Sequence, residues 1–297
     1  MLEKIVSQFD NPNHPSCPQY DAVESKVWKT VTIHQFPDGV EVFIDEAKRT
    51  WSDGAEFDDI DGDKRVERGE GDRERSIDRA ARRAKTQVRR RCKMIQADCM
   101  MTLTYRANQQ DEKRVEADFK AFRKRLETIG KFQYVATLER QEGYMNGNMQ
   151  AQQGRSSIHV HIACQQFPAY LRNEHGVRVK SYALISSMWS RVIGRGNGNV
   201  NFTKPRGRNS AHRIASYIAK YVSKKVSEAA LNAKSYWSSK NIEMPKPERI
   251  WYDGDTSTYD IVVAIAKQFA VKGYTDIAQY ADSMNQFHWF SASSPTS

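Results

Sequence analysis

The sequence predicts an α+β fold: an antiparallel β-sheet of ferredoxin- or RRM-like type, helices packed on one face, and N- and C-terminal extensions around it. Three observations carry this. Residues 98–105, 132–140 and 156–165 place apolar side chains on alternate positions, as strands with two different faces do. Residues 111–129, 182–193 and 210–226 read as helices. Their order, completed by a short strand at 200–203, is strand–helix–strand–strand–helix–strand, the order of the split βαβ sheet.

Taken in order, residues 1–72 form an acidic, partly ordered N-terminal segment. Pro12, Pro15 and Pro18 cluster early, Asp53 to Asp63 is acidic and contains glycine, and Val27 to Ile44 reads as two short strands around Pro37-Asp38-Gly39. Residues 75–96 are helical, with Ala80, Ala81 and Ala84 among many arginines. Asp98 to Tyr105 is the first strand of the core. Asp111 to Ile129 buries Val115, Phe119, Phe122 and Leu126, and Gly130 stops it. Phe132 to Arg140 and Ser156 to Gln165 are strands joined by a Gly-, Asn- and Gln-rich loop at 143–155. After the helix Tyr182 to Ile193 come a turn, the short strand Val200 to Thr203, a basic loop at 204–209 and the helix Ser210 to Val226. A basic domain is therefore expected over 73–230. The C-terminal extension, 231–297, holds a Pro-containing segment at 244–247, a helix near Tyr259 to Val271 and a last strand near Phe287 to Ser291.

Composition bounds the function. With 297 residues, 39% hydrophobic and 28% charged, the chain is long enough for a buried core, which excludes fibrous and wholly disordered classes. No stretch approaches the roughly 18 apolar residues that a membrane span needs, and the first ten residues are not a secretory signal. Cys17, Cys92, Cys99 and Cys164 form no CxxC pair, so neither a zinc ribbon nor a disulfide framework is expected, and a reduced, cytoplasmic setting fits. No G-x-x-x-x-G-K-[ST] loop is present, which excludes a fused ATP-driven helicase.

The net charge of +10 hides an uneven distribution. Residues 1–72 carry 8 Lys/Arg and 17 Asp/Glu, whereas residues 73–297 carry 38 and 19. Arg73 to Lys93 has ten basic and two acidic residues, and His175 to Ser227 has eleven basic residues and no acid. A span of that length without a carboxylate fits a surface that meets phosphates. Its candidate nucleic-acid contacts are Arg195, Lys204, Arg206, Arg208, Arg213, Lys224 and Lys225, with the 73–93 helix as a further one.

Ser157-Ile158-His159-Val160-His161-Ile162-Ala163 is the sharpest local signal. In a strand, His159 and His161 share one face and Ile158, Val160 and Ile162 the other. Two imidazoles so placed suit chelation of a divalent ion. A third ligand is expected from the neighbouring strand, where Tyr134, Ala136 and Leu138 are the apolar face and Glu139 lies opposite; Glu142, already in the loop, is the weaker candidate. Two imidazoles and a carboxylate suit Mg²⁺ or Mn²⁺, and also accommodate zinc.

The second signal lies in the last helix. Ile214, Ile218, Val222 and Val226 form its buried stripe; Tyr217, Tyr221 and Lys224 form another, offset by about a hundred degrees. Tyrosines at i and i+4 are neighbours. A phenol is a competent nucleophile toward a phosphodiester when cations or a metal ease loss of its proton, and two on one face can act in turn.

The order TLTY (102–105), HVH (159–161), YIAKY (217–221) resembles the HUH-superfamily endonucleases that initiate rolling-circle replication. The paired tyrosines with Lys220 between them most resemble the gene A type replication proteins of single-stranded DNA phages. The resemblance covers roughly 98–227. Thr102 and Thr104 stand at its first motif, His159 and His161 at its second, and Tyr217, Lys220 and Tyr221 at its third; the 19 residues between Glu139 and His159 exceed its usual spacing. The resemblance implies a nuclease domain over 73–230 that, with Mg²⁺ or Mn²⁺, nicks single-stranded origin DNA. A tyrosine is left as a 5′-phosphotyrosine, a 3′-hydroxyl is freed as primer, and strands are later rejoined without ATP. Its implied partners are origin DNA and a host helicase and DNA polymerase, in the cytoplasm of a bacterial host. A plasmid mobilisation relaxase or a single-strand transposase would share this chemistry, the latter being usually smaller. A non-catalytic RRM-like binder would carry stacking aromatics where Thr102, Thr104, His159 and His161 stand, and a simple metallohydrolase would need no tyrosine pair.

Overall fold

The three core strands form where alternation places them. In the computed structural model they are β3 (Cys99–Tyr105), β4 (Tyr134–Arg140) and β7 (Ile158–Cys164), joined by β10 (Gly198–Thr203) and the short β11 (Trp237–Ser238). The structure describes residues 26–49, 73–140, 144–145, 151–152, 157–204, 210–228, 235–282 and 287–294. All neighbours are antiparallel, in the order β10–β3–β7–β4–β11. The expected α+β class and antiparallel sheet are therefore present. Gly198 is needed where β10 meets β3, because a Cβ there would lie 2.0 Å from the Thr104 carbonyl oxygen.

The helices are α1 (Arg73–Met94), α2 (Glu112–Leu126, continued by a 3₁₀ turn to Ile129), α3 (Ser181–Ile193) and α4 (Ser210–Glu228). Asp111 caps α2 by accepting from the Lys113 and Arg114 backbone N–H groups. The expectation of helices on one face is corrected: they cover both. Phe119, Phe122 and Leu126 of α2 and Ile185 and Trp189 of α3 pack on Met101, Leu103, Val160 and Ile162. Val88 and Cys92 of α1 and Ile214, Ile218 and Val222 of α4 pack on Met100, Val135 and Ala163. Met100, Ala163 and Val135 lie side by side in register. A row of apolar side chains on the second face needs cover as much as the first. The arginine-rich α1 is accordingly a packing helix, with Arg79, Arg82, Arg83 and Lys85 turned outward.

Trp189 anchors the first face. It is fully buried, its ring meets Tyr105 and Phe122 edge-on, and its Nε1 donates to the Thr104 carbonyl at 3.2 Å. Trp189→Ala is expected to cost about 3–5 kcal/mol, read as a lowered urea midpoint.

Within the stretch expected as the 143–155 loop, β5 (Tyr144–Met145) and β6 (Ala151–Gln152) pair with each other. Two more strands missed by the sequence reading, β8 (Tyr170–Arg172) and β9 (Arg178–Lys180), form a hairpin before α3. The chain divides into two units, Asp72–Met244 and Met1–Gly71 with Pro245–Ser297. In the latter, β1 (Lys26–Phe36) and β2 (Gly39–Arg49) form a hairpin at the expected Pro37–Gly39 turn. They join β12 (Glu248–Asp253), β13 (Thr275–Asp282) and β14 (Phe287–Ser293) in the antiparallel order β12–β1–β2–β14–β13. Helix α5 (Thr258–Val271) packs Ile261 and Phe269 on Val31, Val42, Ile250 and Phe290 of that sheet. The proline cluster at 12–18, the acidic stretch 53–63 and Cys17 lie outside the described residues; Cys92, Cys99 and Cys164 are buried free thiols.

Candidate active site

Strand alternation sorts β7 into an apolar face, Ile158, Val160 and Ile162, and an opposite face of His159, His161 and Ala163. The latter face changes character along its length. At one end Ala163 sits between Met100 and Val135. Two residues on, His161 sits between Thr102 and Thr137, and two further His159 pairs with Glu139. Apolar cover by α1 and α4 thus gives way to a polar end. There the ligand atoms of Glu139, His159 and His161 all lie within 4.8 Å of one another.

His161 is the best held of the three. It is buried, its Nδ1 is hydrogen-bonded to Thr102 Oγ1 at 3.1 Å, and its Nε2 contacts Glu139 Oε2. Burial alone would push the Glu139 carboxyl up. The hydrogen bond from His161, the nearby imidazoles and a hydrogen bond with Tyr221 outweigh this and hold it below the ordinary range. Burial, then the charge of His161, lowers His159, against the pull of Glu139. A neutral imidazole and an ionised carboxylate are the forms that ligate a cation. Two nitrogens and one carboxylate oxygen, leaving further positions open, fit a catalytic divalent ion.

Helix α4 brings the tyrosines over this cluster. Ile214, Ala215, Ile218, Ala219 and Val222 are buried, so the next stripe of the helix, Tyr217 and Tyr221, lies toward the polar end. The Tyr221 ring stacks on His161 (centroids 5.4 Å, 14°), and Tyr217 meets His161 edge-on (5.5 Å, 80°). The two phenol rings are 5.0 Å apart. Tyr217 is 43% exposed, whereas Tyr221 is half-buried. Burial, a hydrogen bond with Tyr217 and one with Glu139 raise the Tyr221 phenol well above its ordinary pKa. A cation drawing on Glu139 acts against that rise. Lys220 is exposed, with Nζ 6.0 Å from the Tyr221 centroid.

The remaining candidates are dispersed. Thr104 shares the face of Thr102, and its Oγ1 donates to the Asn199 carbonyl at 3.3 Å. Arg195 is exposed in the turn before β10. Lys204 lies at the other end of the sheet, beyond the Thr203–Met100 pair, where it donates to Gln166 Oε1 at 2.8 Å and lies 3.8 Å from Asp98. Arg213 is exposed on α4, and Lys224 and Lys225 belong to the same helix. Arg206, Arg208 and Glu142 lie outside the described residues. Thr137 was missed: it is fully buried beside His161 and donates to the Ser235 carbonyl at 3.2 Å. Its position two residues before Glu139, on the same face, was the available signal.

No curated protein and no solved structure matches the chain. No described helix is long and apolar enough to cross a membrane. Residues 98–226, from the first core strand to the tyrosine helix, match the profile of a family described as replication-associated protein ORF2, and this match supports a replication-associated protein of the initiator type.

Proposed function

We propose that the chain is a replication initiator that nicks and rejoins single-stranded origin DNA through metal-assisted tyrosine transesterification, as in the HUH endonucleases it resembles. The observation that carries the reading is the placement of two phenols against His161 of the Glu139–His159–His161 cluster. A simple metal hydrolase or a passive binder has no use for both.

A divalent ion, Mg²⁺ or Mn²⁺, held by these three side chains supplies positive charge that polarises a phosphodiester and stabilises charge developing on it. Thr102 accepts the Nδ1 proton of His161, which leaves the Nε2 lone pair for the ion. One phenol oxygen forms the bond to phosphorus as the bond to the 3′ oxygen breaks. Its proton leaves to solvent, and the departing oxygen takes up another to become the 3′-hydroxyl. The phosphodiester energy is kept in the tyrosine link. Attack on that link by a 3′-hydroxyl restores the phosphodiester and frees the phenol. Lys220 and the basic residues of 175–227 attract the strand. A host helicase and a polymerase would act on the opened duplex and the primer.

The experiment is incubation of the full chain with end-labelled single-stranded DNA and Mn²⁺. The expected product is a protease-sensitive, denaturation-resistant protein–DNA adduct. Cleavage without any adduct would remove the tyrosine step, and neither cleavage nor adduct on any strand would remove the nuclease reading.

Thr102 gives a subtler expectation. Thr102→Val keeps the shape and removes the hydroxyl. Mn²⁺ affinity, measured by calorimetry without DNA, should fall about 10- to 100-fold, and Thr102→Ser should recover most of it.

A further inference from the structure

At the end of the central sheet away from His159 and Glu139, five aromatic rings run across the strands. Tyr134 stacks on Phe132 (5.5 Å, 16°), and Phe132 on Phe167, just beyond β7 (5.6 Å, 16°). Phe167 meets Phe202 of β10 edge-on at 6.1 Å, and Phe202 meets Tyr182 of α3 at 6.1 Å. Tyr134 is buried, Phe132, Phe167 and Phe202 are partly exposed, and Tyr182 is 58% exposed. The row thus emerges from the core onto the surface. Beside it is a cleft of ≈ 1240 Å³ whose wall includes Phe132 and Phe167, the amides of Gln133, Gln165 and Asn241, Lys131, and the carboxylate Glu243. Lys204 reaches Gln166 at the same end.

Packing alone would be served by aliphatic side chains at this rim. Ring faces, amides and lysines together suit another purpose. Aromatic faces stack on any base, amides satisfy base edges, and cations meet the phosphates between them. We propose that the Phe132–Phe167–Phe202–Tyr182 row is a base-stacking strip for single-stranded nucleic acid. Strands of seven residues put it about 20 Å from the metal-type cluster. Only a strand extending well past the scissile phosphate reaches both. The acid-free segment from His175 to Ser227 includes Tyr182, Phe202 and Lys204 as well as the tyrosine helix, so no carboxylate of that segment repels the strand along its way. That the bound strand is also the nicked one rests on the nuclease reading; the strip itself does not.

The test is fluorescence anisotropy with the full chain in EDTA, so that binding is read without cleavage. The probes are a long single strand, the same strand with abasic sites in place of bases, and a short strand covering only the cleavage region. Tyr182→Ala removes an exposed ring, and Phe167→Leu keeps an apolar filling; circular dichroism checks that both are folded. Each variant should bind the long strand about ten-fold more weakly and bind the abasic and short strands as wild type does. Unchanged long-strand binding in folded Tyr182→Ala protein overturns the strip. An equal loss on normal and abasic strands also overturns it, since the face would then meet phosphates and not bases. If the wild-type chain forms no covalent adduct, the nuclease reading falls while this comparison still decides the strip.

Discussion

The Tyr217→Phe, Tyr221→Phe double variant is expected to form no covalent DNA adduct, a loss of at least about 10³-fold against wild type. Phenylalanine keeps both rings, so the stack of residue 221 on His161 and the buried stripe of α4 should survive, and circular dichroism should be unchanged. The single variants distinguish two schemes. If the phenols alternate, each single variant still forms some adduct, but closing a nicked strand into a circle fails in both, because release from one tyrosine requires the strand end held by the other. If one single variant loses all adduct and the other is wild type in both assays, one tyrosine is catalytic and the other packs. The unequal environments sharpen this: Tyr221 is hydrogen-bonded to Glu139, while Tyr217 is the more exposed ring. Adduct formation by the double variant would remove α4 from the chemistry altogether.

The second large effect concerns the cluster. His159→Ala and His161→Ala should each lower Mn²⁺-dependent cleavage by about 10³-fold or more, since the stabilisation attributed to a bound ion is worth several kcal/mol. The two should differ in stability. His159 is half-exposed and paired only with Glu139 across the strands, so its loss should leave the urea midpoint nearly unchanged. His161 is buried between Thr102 and Thr137, and its removal leaves a gap and takes away the Thr102 partner, at a cost of about 1–3 kcal/mol. Wild-type cleavage by either variant would remove the metal assignment.

Much of the central domain was legible from local pattern. Alternation in 98–105, 134–140 and 158–164 named the strands and their faces, and the 214–218–222 spacing named the buried stripe of α4. The acidic side chain was legible too: Glu139 stands on the polar face of its strand and comes to lie opposite His159. The short strands β8, β9 and β11 were not, because two or three residues carry no measurable period.

What the sequence by itself determined is the set of reactive side chains, the face each occupies on its own element, and the concentration of cations in 73–297. These follow from periods of two and 3.6 residues and from composition, which are properties of single elements. What only the tertiary structure decided is which elements meet. Helices α1 and α4 cover the second face of the sheet because Met100, Ala163 and Val135 become neighbours there, and this contact sets Tyr217 and Tyr221 against His161. Strands β1 and β2 likewise find β12 and β14 at the far end of the chain, through pairing that no local window contains. Strand register and the burial of facing apolar rows are long-range properties. The sequence encodes them only through the fit of surfaces formed far apart along it.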